Sequence, residues 1–227
     1  MAINWPVSPT IGQLYTSSNG DVWRWNGYAW DISNLQSSGS YKGPWIIFRD
    51  PRKPNYYANL PLALAGATSG ETIYLATDVT ETYSGPLSIE FNINLNGNTF
   101  TIVESGGYFG NQYIIIGSVN LNTNIQNGNI IFSGTNKTGI VSNNSSASHD
   151  LTGLSVTITS NLQAGSFNGS LEGGSFYNNS TDPTSIGVQF RSTINGEYEQ
   201  QTINQHVKNV KGVSAGGYGI SITSNFA

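Results

Sequence analysis

Short alternations of apolar and polar residues, separated by corners rich in Asn and Gly, run through most of the chain. A period of two marks a β-strand with one buried face. It predicts strands within residues 71–76, 93–102, 125–132, 151–158, 167–176 and 207–213. Residues 185–190 supply another inside the longest gap, and residues 220–226 one more. The stretch 125–132 is a near copy of 93–102, with Asn127-Gly128 answering Asn96-Gly97. Unequal intervals separate the corner glycines Gly97, Gly128, Gly153 and Gly173. Imperfect repeats of a strand and a corner are the pattern of a β-solenoid. One repeat cannot bury its inward face alone, so stacking on the next repeat buries it. Asn and Gly suit the corners because both tolerate a left-handed backbone. A Greek-key β-sandwich is the competing architecture, and it calls for evenly spaced hairpins. Residues 59–67 are the one stretch that reads as a helix, with Asn59 as N-cap, Pro61 in the first turn and Gly66 or Gly70 as the stop.

The N-terminal pattern is different. All five tryptophans, Trp5, Trp23, Trp25, Trp30 and Trp45, precede residue 46. Residues 13–16, 22–25 and 28–32 read as three short strands, joined at Ser18-Asn19-Gly20-Asp21 and at Asn26-Gly27. Such a meander is too small to stand on an ordinary core, but large aromatic side chains bury much area per residue. The predicted organisation is an aromatic β-module over 1–33 and a linker or elbow over 34–58. A β-solenoid over 59–227 follows, either continuing beyond that point or capped by a partner. The linker contains a Ser/Gly tract and the basic, Pro-containing stretch from Arg49 to Pro54.

Composition agrees with an all-β chain. Gly, Asn, Ser and Thr make up 102 of 227 residues and charged residues only 10%, so long helices lack the residues they need. Recurrent Ile, Val, Phe and Tyr with a net charge of −4 argue against simple disorder. Nine Lys and Arg give no basic footprint for nucleic acid or an anionic membrane. No run approaches the ~18 apolar residues of a membrane span, and the first residues lack the charged and apolar regions of a signal peptide. The absence of cysteine excludes disulfides, thiolate metal sites and thiol catalysis.

Candidate chemistry is sparse. Glu197 and Glu199 alternate on one predicted strand face, with Arg191 and His206 nearby in sequence. Two carboxylates at such spacing are the minimum for glycoside hydrolysis, although a hydrated acidic loop has the same sequence. Asp78, Glu81, Glu90, Glu104, Asp150, Glu172 and Asp182 are scattered and form no cation-binding cluster of the kind a lyase needs. His149-Asp150 reads as solvated polar sequence, because no Ser sits in a nucleophile-elbow context. Two histidines without cysteine argue against a transition-metal site. The Gly-aromatic loops around Tyr108 and Tyr218 lack the strand and long helix of a dinucleotide cradle. The expectation is a protein without enzymatic activity, cofactor or metal.

Two resemblances add to this reading. The string Pro9-x-x-Gly12-Gln13-x-Tyr15, followed by Gly20-x-x-Trp23-x-Trp25-Asn26-Gly27-x-x-Trp30, resembles a small module near the start of bacteriophage tail-fibre and related virion proteins. In that family the N-terminal end attaches the fibre to the particle. Residues 59–223 resemble the pectate-lyase-like right-handed parallel β-helix in three features. These are the capping helix, the strand Gly70-Glu71-Thr72-Ile73-Tyr74-Leu75 and the corner Leu95-Asn96-Gly97-Asn98. The resemblances imply a structural virion protein, a tail fibre or tailspike, assembled in the host cytoplasm. They also imply a homotrimer whose partners are other tail, baseplate or capsid proteins. Trp5, Trp23, Trp25, Tyr28 and Trp30 are the expected docking residues. A capsid-bound head fibre or decoration protein is one alternative. The other is a glycan-binding or glycan-degrading spike acting on a host-surface glycan through Glu197, Glu199 and Arg191.

Overall fold

The computed structural model describes residues 6–10, 13–16, 22–25, 30–32, 43–49, 54–105, 111–120, 122–133, 137–194 and 206–226. The chain divides into two compact units, residues 1–42 and 43–227. In the first, β1 (Leu14–Thr16), β2 (Val22–Trp25) and β3 (Trp30–Ile32) form an antiparallel sheet in chain order.

Among its described residues the second unit is mostly β-strand, with one short helix. It opens with β4 (Trp45–Ile47), β5 (Asn55–Tyr57), the helix α1 (Leu60–Gly66) and β6 (Thr72–Leu75). Then follow β7 (Val79–Tyr83), β8 (Leu87–Ile89), β9 (Asn92–Asn94), β10 (Thr99–Glu104), β11 (Gln112–Ile116) and β12 (Ile125–Gln126). Next come β13 (Gly128–Ser133), β14 (Thr138–Ser142), β15 (Ser148–Asp150), β16 (Leu154–Ile158), β17 (Gln163–Phe167) and β18 (Ser170–Glu172). The last are β19 (Ser175–Asn178), β20 (Ile186–Ile194), β21 (Val207–Lys208), β22 (Lys211–Ser214) and β23 (Tyr218–Phe226).

Strand order advances in steps of three. One sheet runs β7-β10-β13-β16-β19-β22 and a second runs β8-β11-β14-β17-β20-β23. A third contains β6-β9-β12, and a fourth β15-β18-β21. All of these pairings are parallel. Parallel pairing between strands 20 to 40 positions apart excludes the antiparallel hairpins of a Greek-key sandwich. Most corners use the expected residues, but Gly128 opens β13 and Asn127 takes the left-handed position there. Asn96, Gly97, Asn127, Gly153, Gly173 and Asn209 all have φ between 52° and 80°, the left-handed region.

Register stacks like on like. In the first sheet Phe100, Ile130, Val156 and Phe176 are successive partners, and all are buried. In the second, Leu87, Ile114 and Ile140 continue through Gly165 to Val188. Aromatic rings fill the interior. Trp45 meets Phe100 edge-on at 5.0 Å, and Tyr113 stacks on Phe132 at 4.9 Å. Toward the last strands the interior narrows to backbone contact. A Cβ on Gly212 would lie 2.1 Å from the Gly219 carbonyl oxygen.

The first end is closed. Strand β4 pairs antiparallel with both β5 and β6, and its residues are buried. Residues 44–57, expected within a linker over 34–58, thus contribute two strands of a sheet. Trp45, Ile46 and Ile47 are apolar enough to join the core, and proline flanks them rather than interrupting them. The helix is where Asn59 predicts it, with the Asn59 Oδ1 accepting the Leu62 N–H at 3.0 Å. At the other end, Ile220 and Ile222 pair in register with the buried Val188 and Phe190 but are 49% and 81% exposed.

Candidate functional site

The N-terminal sheet has one aromatic face. Tyr15 lies opposite Trp23, and Trp25 opposite Trp30, so the register puts all four rings on the same side. Trp30 contacts Trp25 at 5.6 Å between centroids and Tyr15 at 5.9 Å, with tilted planes at 55° and 59°. Tilted ring pairs are favourable by about 0.5–1.5 kcal/mol beyond their area. The four rings are each half-buried, so they hold the small sheet together and still offer apolar surface to a partner. Of the expected docking residues the structure therefore brings Trp23, Trp25 and Trp30 together and adds Tyr15. Trp5 and Tyr28 lie outside the described residues.

The glycan-site candidates are not assembled by the described residues. Arg191 is exposed on β20, beside Thr223 in register, and its Nε donates to Gln189 Oε1 at 2.8 Å. Glu197 and Glu199 lie outside the described residues. Among the described residues no group of three or more His, Asp or Glu comes together as metal ligands.

Two buried polar clusters escaped the sequence reading. The first surrounds Glu81, 9% exposed on β7. Its Oε1 accepts the Trp45 indole N–H at 2.5 Å, while Oε2 accepts the Leu60 backbone N–H at 3.1 Å and the Tyr83 hydroxyl. Burial, and then the neighbouring carboxylate, raise the Tyr83 phenol well above its ordinary value, so it stays a donor. Glu81 thereby ties β4, β7 and the first turn of α1 together.

The second cluster corrects the expectation for His149, which is buried at 2% exposure rather than solvated. Ala147, His149 and Leu151 are the inward positions of one alternation, a signal present in the sequence but masked by the polar residues between them. The imidazole Nδ1 lies 2.7 Å from the Thr123 carbonyl oxygen and Nε2 lies 3.0 Å from Ser142 Oγ. A carbonyl only accepts, so Nδ1 carries the proton and Nε2 accepts the Ser142 hydroxyl. Desolvation lowers the imidazole pKa, against smaller opposing contributions from Thr123 and Glu90. A Ser–His pair with an oriented base has the outline of an activated nucleophile. Ser142 is only 1% exposed, however, and neither residue lines the shallow depression formed by Gly117, Ser118, Asn143, Asn144 and Ser145. No substrate reaches the hydroxyl in this arrangement, and the pair serves to satisfy buried polar groups.

Compared with known proteins, the chain matches no family model, no curated protein and no solved structure.

Proposed function

We propose that this chain is a non-enzymatic structural protein of a phage particle, a tail fibre or tailspike. Its N-terminal aromatic sheet anchors it to the virion, and a right-handed parallel β-helix forms the shaft toward the host surface. The observation that carries this reading is the convergence of Tyr15, Trp23, Trp25 and Trp30 on one face of a sheet in its own compact unit. Clustered Trp and Tyr rings are the commonest anchors of protein interfaces. The three-strand step of the second unit supports a β-helix, because a repeat that visits three sheets in turn stacks indefinitely along one axis. Homotrimerisation is part of this proposal, as is docking on other tail, baseplate or capsid proteins.

Gold labelling of the chain on purified particles tests the reading. Label at the tail or baseplate supports a fibre or spike. Label over the capsid favours a head fibre, and no label on any particle overturns the virion assignment. Trp23→Ala with Trp25→Ala is expected to abolish incorporation while the second unit stays folded, as judged by circular dichroism. Particles that still carry the double variant would refute the docking face.

A further inference from the structure

The sheets built on β12 and β15 are interrupted where His149 sits. Ile73, Ile93 and Ile125 are register partners on one side of the break. His149, Leu171 and Val207 are register partners on the other. The break is crossed mainly by side chains. Asn124 Oδ1 accepts the Asp150 N–H at 2.8 Å, Gln126 Nε2 donates to Asp150 Oδ2 at 2.6 Å, and His149 Nδ1 donates to the Thr123 carbonyl. Gly117 also closes over the ring, since a Cβ there would lie 2.7 Å from His149 Cε1.

We infer that the Thr123–His149–Ser142 array is an acid-sensitive latch, which holds the seam between β12 and β15 shut while the imidazole is neutral. A second ring proton turns Nε2 from acceptor into donor. Ser142 must then reverse its hydroxyl, and a cation sits against Leu171 inside the stack. Few charges compensate. Among the described residues Glu90 is the one carboxylate whose field favours the cation, and its Oε2 already accepts the Val119 and Asn120 N–H groups. Asp150, on the same strand, is engaged with Gln126 and Thr152, and Glu172 on β18 pairs with Lys208. Residues 117–126 and β14 carry no charged side chain.

The sign follows from linkage. Burial lowers the folded pKa below the ordinary 6.5, so the opened form binds the proton first. The latch is intact above that value and weakens as pH falls below it. Amide hydrogen exchange of the full chain at pH 7.5 and pH 5 tests this, expressed as protection relative to intrinsic rates. Protection at residues 123–126 and 148–151 should fall by about tenfold at the lower pH, with far less change in β10 and β16. His149→Leu, which restores an apolar residue to the column, should remove the pH dependence. If that variant does not fold, His149→Gln keeps a neutral donor for Thr123 and should do the same. Unchanged wild-type protection at pH 5, or an equal loss in a folded His149 variant, would overturn the inference.

Discussion

The Trp45 indole N–H donates to the Glu81 carboxylate at 2.5 Å, across 36 positions of sequence, inside the capped end of the parallel stack. Glu81 occupies a position whose register partner on the next strand is Ile102, buried at 0% exposure. A carboxylate is tolerated there because three donors converge on it. Glu81→Ala leaves all three without an acceptor and should destabilise the second unit by about 3 kcal/mol. Glu81→Gln keeps one acceptor oxygen and should cost about half as much. Urea titration followed by far-ultraviolet circular dichroism gives both values. A negligible cost for Glu81→Ala would show that the donors do not depend on the carboxylate.

The narrow end of the stack makes a second prediction. A Cβ on Gly212 would collide with the Gly219 backbone, whereas one on Gly97 would meet nothing within 4 Å. Gly97 instead has a φ of 80°, which a side chain strains without a clash. Gly212→Ala should therefore cost about 3 kcal/mol by forcing two sheets apart. Gly97→Ala should cost about 1–2 kcal/mol through backbone conformation alone. A comparison of their unfolding midpoints distinguishes the two mechanisms.

Acid should erode a third feature. Arg49 Nε and Nη2 reach Glu71 Oε1 and Oε2 at 2.7 and 3.1 Å, and the same guanidinium donates to the Gly66 carbonyl at the end of α1. That guanidinium, then the Thr68 N–H, hold the Glu71 carboxyl down at about 2, below its ordinary 4.5. A depressed carboxyl contributes stability that is present above pH 4.5 and is lost as pH falls through about 2. Solvent and salt screen the pair, so the effect should shrink in 1 M salt. Thermal melts between pH 5 and 2 should show a shallower acid limb for Glu71→Gln than for the wild type. Parallel limbs would remove the pair from the account.

Exposure divides the last two strands of the second sheet. Phe190 is 3% exposed, while its register partner Ile222 is 81% exposed. Phe190→Ala should cost about 3–5 kcal/mol. Ile222→Ser should change stability by less than about 0.5 kcal/mol. It should also lower any tendency to self-associate through the edge of β23, measured by sedimentation velocity. A large loss from Ile222→Ser would mean that this side chain is covered in solution.

Much of the fold was legible in the chain. The alternations at 93–102 and 125–132, Asn127 and the Asn96-Gly97 pair at the corners, and Asn59 as the helix cap all appear where local chemistry puts them. The three short N-terminal strands also appear as expected, whereas the single aromatic face that adds Tyr15 came from their register. Residues 44–57 were misread, because prolines and charges around Trp45–Ile47 obscured a strand of three residues. The surroundings of Glu81 and His149 were not legible either. Their partners lie up to 36 positions away and meet only through pairing between distant strands.

The sequence alone determined the period-two strands, the left-handed corners, the short helix after Asn59 and the division into an aromatic and a polar-rich region. Each rests on a preference expressed within a few residues, where sterics and hydrogen bonding act locally. The tertiary structure decided which strand stacks on which. With that register came the burial of Glu81 and His149, the approach of Gly212 to Gly219 and the exposure of Ile222. These are consequences of contacts between distant segments, and the apolar–polar pattern of any one repeat is compatible with many neighbours.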